Sequence, residues 1–205
     1  MTAPITIVDY GIGNVASIAN MLAKAGYASV LSADPDQVVA AEKLLLPGVG
    51  AFDKAAIRLR ETGLRDAVLD GAASGTPVLG VCLGMQLLMD GSEEGVEEGL
   101  GLIPGQVRRF PREVDEQLLR VPHMGWNTVH RTGTRDALES VATGDRFYFV
   151  HSYFADPSDP ADALATTTHG VTFASMISRG NVTGVQFHPE KSHRTGMRLL
   201  SGFAA

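Results

Sequence analysis

The hydrophobic positions change period about halfway along the chain. ITIVDY (5–10) is a short β-branched apolar run and predicts a strand. After GIGN, residues Val15, Ile18, Met21 and Leu22 fall at helical spacing, with Asn14 as the cap and Gly26 as the stop. YASVLS (27–32) predicts a second strand, and Asp34-Pro35 suits the N-cap and first turn of a short helix over 35–41. KLLLPG (43–48) predicts a third strand, and 53–73 reads as helical with a break at Gly63. TPVLGVC (76–82) is the next strand and LGMQLLMD the next helix. Strand and helix in alternation predict a parallel sheet with helices on both faces.

From residue 92 the pattern differs. SEEGVEEGLGLIPG (92–105) is acidic and glycine-rich and predicts a surface loop. QVRRF, WNTVH, RFYFVHSYF, ALATTT, FASMIS and VTGVQF then follow as strand-like runs, with RGN (179–181) suited to a hairpin. VTGVQF is expected to return to the central sheet. SHRTGMRLLSGF supplies a last helix, with Ser192 as its candidate N-cap. The fold class is therefore α/β, one domain over 1–205. A central, mostly parallel sheet is flanked by helices, with additional antiparallel strands in the second half.

Composition narrows the function classes. A chain of 205 residues, 44% hydrophobic and 20% charged, can bury a full core. The net charge of -6 argues against nucleic acid or an anionic membrane as the main partner. MTAPITIVDYG lacks the pattern of a signal peptide, and no apolar run approaches the roughly 18 residues of a spanning helix. The expected location is the cytoplasm. One cysteine forms no internal disulfide.

That cysteine is the first candidate for chemistry. Ligands collect outside the carboxyl ends of strands in α/β sheets, and Cys82 falls there, between Gly80 and Gly84. Gly80-Val81-Cys82-Leu83-Gly84 resembles a nucleophile elbow, a strand passing at once into a helix. A helix N-terminus favours negative charge, and the N–H of Leu83 can donate to an oxyanion. A lone cysteine is ordinarily a small core residue; the two glycines and the junction favour a nucleophile.

A base is needed, and the chain has six histidines. In VQFHPEKS, Pro189 biases His188 toward extended backbone, so His188 and Glu190 project to one side. Glu190 can then fix the tautomer of His188, completing a Cys-His-Glu triad. His151 is the rival base, but it has no acid two residues away; its expected role is structural or substrate-positioning. His188, Glu190 and His193 could be read as metal ligands, but His193 falls in the last helix and no further cluster appears, so no metal is expected. His123, His130 and His169 have no partner that spacing identifies. The glycines of LPGVGAF (46–52) allow backbone N–H groups to face an anion. GIGN followed by Val15-Ala16, with Asp34 about 20 residues on, also fits a dinucleotide fingerprint; Asp9 beside it would repel phosphate. A nucleotide-binding module is the alternative from another class.

Taken together, GVCLGMQ (80–86) and His188-Pro189-Glu190 make the chain resemble a class I (triad) glutamine amidotransferase over essentially its whole length. DYGIGN (9–14), PGVGAF (47–52), PHMGWN (122–127) and YFVHSY (148–153) are similar, within that family, to glutaminase subunits of imidazole glycerol phosphate synthase. Glutaminases of pyridoxal phosphate or anthranilate synthesis are the nearer alternatives. The resemblance implies Cys82, His188 and Glu190 as catalytic residues. It implies Val49 and Leu83 as the oxyanion hole, and Gly50, Gln86, Ser152 and Tyr153 as glutamine contacts. It further implies no cofactor, and a heterodimer with a separate (β/α)8-barrel cyclase that receives ammonia. Asn14, Met124 and Trp126 would face that cyclase, with Trp126 partly exposed in the free chain.

Overall fold

The computed structural model describes residues 3–132 and 139–205. Its first half runs β1 (Ile5–Val8), α1 (Val15–Lys24), β2 (Ser29–Ser32), α2 (Pro35–Val39), β3 (Leu44–Gly48), α3 (Phe52–Glu61), α4 (Leu64–Ala73), β4 (Val78–Cys82) and α5 (Leu83–Leu87). Every residue of β1, β3 and β4 is buried, which is why these strands read as unbroken apolar runs. β2 lies at the sheet edge, where Val30 and Leu31 are exposed.

The second half adds β5 (Gly91–Ser92), β6 (Gly105–Arg109), β7 (Glu113–Val114), β8 (Gln117–Leu118), β9 (His123–Thr128) and β10 (His130–Arg131). Then come β11 (Arg146–His151), β12 (Tyr153–Pro157), β13 (Ala163–His169), β14 (Val171–Arg179), β15 (Val182–Val185) and α6 (His193–Ala204). The main sheet runs β2-β1-β3-β4-β15-β14-β12-β6-β5, with β13 on β14 and β10 on β13. From β2 to β15 all neighbours are parallel; from β15 through β14 and β12 to β6 they are antiparallel. β15 thus returns to the parallel sheet beside β4, as VTGVQF predicts, after the hairpin at 180–181. β9 and β11 pair separately, bringing His123 opposite His151.

Alternation along the buried strands divides the core between the two sheet faces. Leu44 and Leu46 pack with helices α3, α4 and α5, whereas Leu45 packs with α1 and α6. Gly63, in the left-handed region, separates α3 from α4, and Asp34 caps α2 by accepting from Asp36 N–H at 3.0 Å.

Several local expectations need correction. β1 stops at Val8, and the Tyr10 hydroxyl turns inward to donate to the Pro47 carbonyl at 2.6 Å. Neither Asn14 nor Ser192 caps its helix through its side chain. Ser192 Oγ instead donates to the His188 carbonyl at 2.6 Å and accepts from Tyr148 N–H at 3.0 Å. A longer-range partner has taken the hydroxyl that capping would use. Nor is 92–105 only a surface loop. Leu100 and Ile103 are buried, and Ser92 and Gly105 enter strands. The segment is tied to α3 in both directions: Phe52 N–H donates to Glu94, and Val96 N–H donates to Asp53 of the helix.

The N-terminus of α5 sits directly on strand backbone. A Cβ at Gly84 would overlap the Leu46 carbonyl oxygen, and one at Gly80 would lie 2.7 Å from Gly84 O. Glycine is demanded at both positions by approach distance. Gly84→Ala is therefore expected to destabilise the fold by about 3 kcal/mol or more, the upper end of overpacking costs. Gly26→Ala meets no atom within 4 Å and carries only left-handed strain, about 1 kcal/mol. Urea unfolding of the two variants measures the difference.

Candidate active site

Cys82 closes β4 and opens α5 with φ 55 and ψ -110. A non-glycine residue there is strained by roughly 1–3 kcal/mol. The turn aims the side chain into an open cleft of about 450 Å³, whose lining includes Val49, Gly50, Leu83, Gln86, Ser152 and Tyr153. The cleft therefore gathers the sequence-predicted oxyanion and glutamine residues from three separate segments. Gly50, at φ 99, gives the Val49–Gly50 peptide a turn that side-chain-bearing residues rarely adopt.

His188 reaches the same cleft from the end of β15. Its backbone is extended, and the turn Pro189–Lys191 follows. Nδ1–H donates to Glu190 Oε1 at 2.8 Å, with both side chains almost wholly buried. His188 N–H donates to the Tyr148 carbonyl at 2.9 Å, so β11 and Ser192 fix the histidine from both sides. Nε2 has no nitrogen or oxygen partner among the described residues; the group it faces is Cys82. Burial pulls the imidazole down, but Cys82 and Glu190 outweigh it and push its pKa up to about 10. Burial, and then the charge of Cys82, raise the Tyr10 phenol above its usual range. The arrangement is a cationic imidazole set between a sulfur and a carboxylate.

A family model described as glutamine amidotransferase class-I matches residues 6–204. The chain belongs to the class I glutamine amidotransferases. Imidazole glycerol phosphate synthase subunit HisH of Sulfurimonas denitrificans is 46% identical to it, over 97% of this chain and 96% of that protein. The subunit of that name from Nostoc punctiforme is 45% identical, over 98% and 95%. A crystal structure of a glutamine amidotransferase superposes with TM-score 0.75 at 16% identity, covering 98% of this chain and 99% of that one, which speaks to the fold alone.

Behind the amidotransferase's cleft runs a set of polar contacts that local sequence does not announce. Gln86 Nε2 donates to the Tyr153 carbonyl at 3.0 Å and to Gln186 Oε1 at 3.1 Å. Gln186 Nε2 lies 3.8 Å from Cys82 Sγ. The Tyr153 carbonyl also accepts from His151 Nδ1 at 2.7 Å. A carbonyl only accepts, so His151 carries its proton on Nδ1, and Nε2 must accept from His123 Nδ1 at 3.0 Å. His123 Nε2 then accepts from Asn127 Nδ2 at 3.1 Å, and Asn127 also donates to the Thr168 carbonyl at 2.9 Å. Both rings are neutral. Burial lowers His123 to about 4 and His151 to about 3. His169 stacks on His123 with centroids 4.3 Å apart and donates through Nε2 to the Arg120 carbonyl.

His151 is thus in the cleft wall and occupied with the Tyr153 carbonyl, which leaves it unfit as the rival base. Glu94 is the other residue the sequence does not reveal: it lines the cleft while Oε2 accepts from Phe52 N–H at 2.8 Å. Asn14, Met124 and Trp126 lie outside the cleft lining and are exposed, Met124 by 62% and Trp126 by 39%. Trp126 stacks on His193, whose φ of 48 turns it out at the head of α6. In the GIGN loop, Asp9 Oδ1 accepts from Gly11 N–H at 3.1 Å, so a carboxylate already holds the N–H a phosphate would need. Among the described residues, no three His, Cys, Asp or Glu side chains converge on a metal site.

These charge states give stability a defined pH dependence. His123 and His151 lie below the ordinary 6.5 in the fold, so their contribution is complete above pH 6.5 and is lost as pH falls toward about 4 and 3. His188 lies above it; its contribution is complete below pH 6.5 and is lost as pH rises toward about 10. Urea midpoints are expected to fall on both sides of pH 6.5. Nitrogen-15 NMR at pH 7 is expected to find His188 doubly protonated, with His123 and His151 neutral and carrying Nδ1–H.

Proposed function

We propose that this chain is the glutaminase subunit of an imidazole glycerol phosphate synthase, a single domain over 1–205 acting in the cytoplasm. Its task is to hydrolyse glutamine and deliver ammonia to a separate (β/α)8-barrel cyclase. The observation that carries the chemistry is the meeting of strained Cys82 with Glu190-held His188 in one cleft. The relatives named as HisH subunits support the assignment to this synthase over the pyridoxal phosphate and anthranilate systems.

Cys82 thiolate attacks the side-chain carbonyl carbon of glutamine and forms a tetrahedral adduct. The new oxyanion is held by the N–H groups of Leu83, at the head of α5, and of Val49. His188 gives its Nε2 proton to the departing nitrogen, the C–N bond breaks, and ammonia leaves a thioester behind. His188 then takes a proton from water, which attacks the thioester and releases glutamate and the thiolate. Glu190 holds the imidazole in place through Nδ1 and stays ionised throughout. A pKa near 10 keeps His188 charged and ready to donate at the first step.

Gln86, Gly50, Ser152 and Tyr153 position the substrate. Glu94 adds a carboxylate to the cleft wall with Oε2 already engaged; its other oxygen suits the α-ammonium of glutamine. Ammonia freed into bulk water is protonated and stops being a nucleophile, so it must pass directly to a partner. Asn14, Met124 and Trp126 serve that docking. Trp126 and Lys191 both lie against Tyr148, beside the turn that carries Glu190, and α1 packs on that turn. The exposed residues therefore adjoin the triad.

In the assembled synthase, Cys82→Ala is expected to abolish glutamine-dependent turnover while added ammonium salts still support synthesis. His188→Ala is expected to cost about 10²–10⁴-fold in glutamate release, and Glu190→Gln distinctly less. Retained glutamine-dependent turnover in Cys82→Ala would overturn the assignment. The isolated chain is expected to be weakly active and strongly stimulated by nucleotide-loaded cyclase; a fully active lone chain would contradict a loop that waits for its partner.

Trp126 is the sole tryptophan and reports on docking. Its emission is expected to shift to the blue on titration with a cyclase lacking tryptophan, and Trp126→Ala to weaken association. Unmoved emission at saturation would remove it from the interface.

A further inference from the structure

Cys82 Sγ has a neighbour that the triad does not include. Gln186 is fully buried, two residues before His188 in the bend that follows β15, and its side chain reaches the sulfur. The orientation of its amide follows from its partners. The Tyr153 carbonyl accepts only, so Gln86 presents its NH2 there. The same NH2 meets Gln186 Oε1, which leaves Gln186 Nε2 as the atom 3.8 Å from Sγ.

We propose that Gln186 is a positioning residue for the nucleophile, its side-chain N–H donating to the Cys82 thiolate and keeping the sulfur charged and directed into the cleft. The inference rests on the reading of Cys82 as nucleophile. The other charged or titratable groups around the sulfur are His188 with Glu190 behind it, Tyr10 from the β1 end, and Glu94, Lys191 and His151 in the cleft wall. All of them remain in Gln186→Met, which adds no charge. A donor to sulfur raises the thiolate fraction by its full effect and lowers intrinsic reactivity by only about half of it on a logarithmic scale. The net result favours attack.

Gln186→Glu keeps an acceptor for Gln86 and replaces the N–H with a carboxylate oxygen. Gln186→Met keeps the shape and removes both functions. The chain's single cysteine makes alkylation by iodoacetamide a reading of Cys82 alone. The midpoint of the alkylation-rate pH profile, followed by intact mass, is expected to rise by about one pH unit in Gln186→Met, the scale of one hydrogen bond to a charged group. It is expected to rise further in Gln186→Glu. In complex with the cyclase, kcat for glutamate release in Gln186→Met falls about threefold, half the logarithmic shift. KM in Gln186→Glu stays within about twofold, since Gln86 keeps its partner.

Folded variants with midpoints within about 0.3 pH units of the wild type would overturn the proposal. If neither variant folds, the wild type decides: the Gln186 side-chain NH2 resonances must move on alkylation of Cys82, and their constancy would overturn it. Alkylated protein that retains glutaminase activity would instead reject Cys82 as nucleophile, and this inference with it.

Discussion

The first turn of α5 rests on the backbones of β3 and β4 with no side chain between them. Gly80, Gly84 and Gly48 make that approach possible: a Cβ at Gly48 would lie 2.8 Å from both Gly84 N and the Tyr10 hydroxyl. With the helix this close, the chain has no room for a connecting loop after β4. Cys82 must turn from strand to helix in one residue, which its φ of 55 records. The strain is then a consequence of packing, and the packing is what puts the sulfur at the helix head, beside the first free N–H of α5. The PGVGAF loop emerges from the same contact, since β3 ends at Gly48 against Leu83 and Gly84. The proposed nucleophile and both proposed oxyanion donors are therefore placed by one interface.

A second layer fixes what that interface leaves free. From Asn127 through His123, His151, the Tyr153 carbonyl, Gln86 and Gln186, polar groups connect β9 to the sulfur without a break. One acceptor-only carbonyl determines the tautomer of each ring and the direction of each amide. Such a network has a single satisfied arrangement, which makes the cleft wall specific rather than merely polar. Its imidazoles are neutral while His188, held by Glu190 and facing the sulfur, is charged. The same residue type is neutral in the wall and charged beside the sulfur because only one of the three has a carboxylate partner.

The parts of this site legible in the sequence are those made by short-range geometry. The elbow lies within five residues, His188 and Glu190 are two apart, and the strand-helix alternation of the first half follows from local periodicity. The extended-chain rule that pairs His188 with Glu190 names the right pair although Glu190 lies in the tight turn Pro189–Lys191, and it gives no sign of Gln186, which lies in the bend after β15. The partners of Gln186 are 100 and 104 positions distant. The His123–His151 bond depends on the β9–β11 register, and Glu94 on a loop whose acidic composition suggests plain solvation. The Ser192 cap failed for a related reason: the residue has the right chemistry at the right position, but the His188 carbonyl and Tyr148 N–H compete for it. Long-range pairing decides these cases, and no local pattern encodes it.

Departures from ordinary folding rules occur at the site as well as in the β7–β8 turn. Cys82 and His193 are non-glycine residues at positive φ, as are Asp115 and Glu116. His188 and Glu190 form a buried ionic pair, and each keeps one polar atom without a nitrogen or oxygen partner. Elsewhere the sheet obeys its pattern, with β1, β3, β4 and β15 buried throughout. Buried charge is costly unless matched, and the imidazolium is matched by the Glu190 carboxylate. In the mechanism proposed, the unpaired Nε2 is the atom that serves a leaving nitrogen, so satisfying it within the protein would remove that proton donor. The surrounding core, which holds the strained turn and the charged pair at fixed separation, is therefore the condition for leaving that one atom unsatisfied.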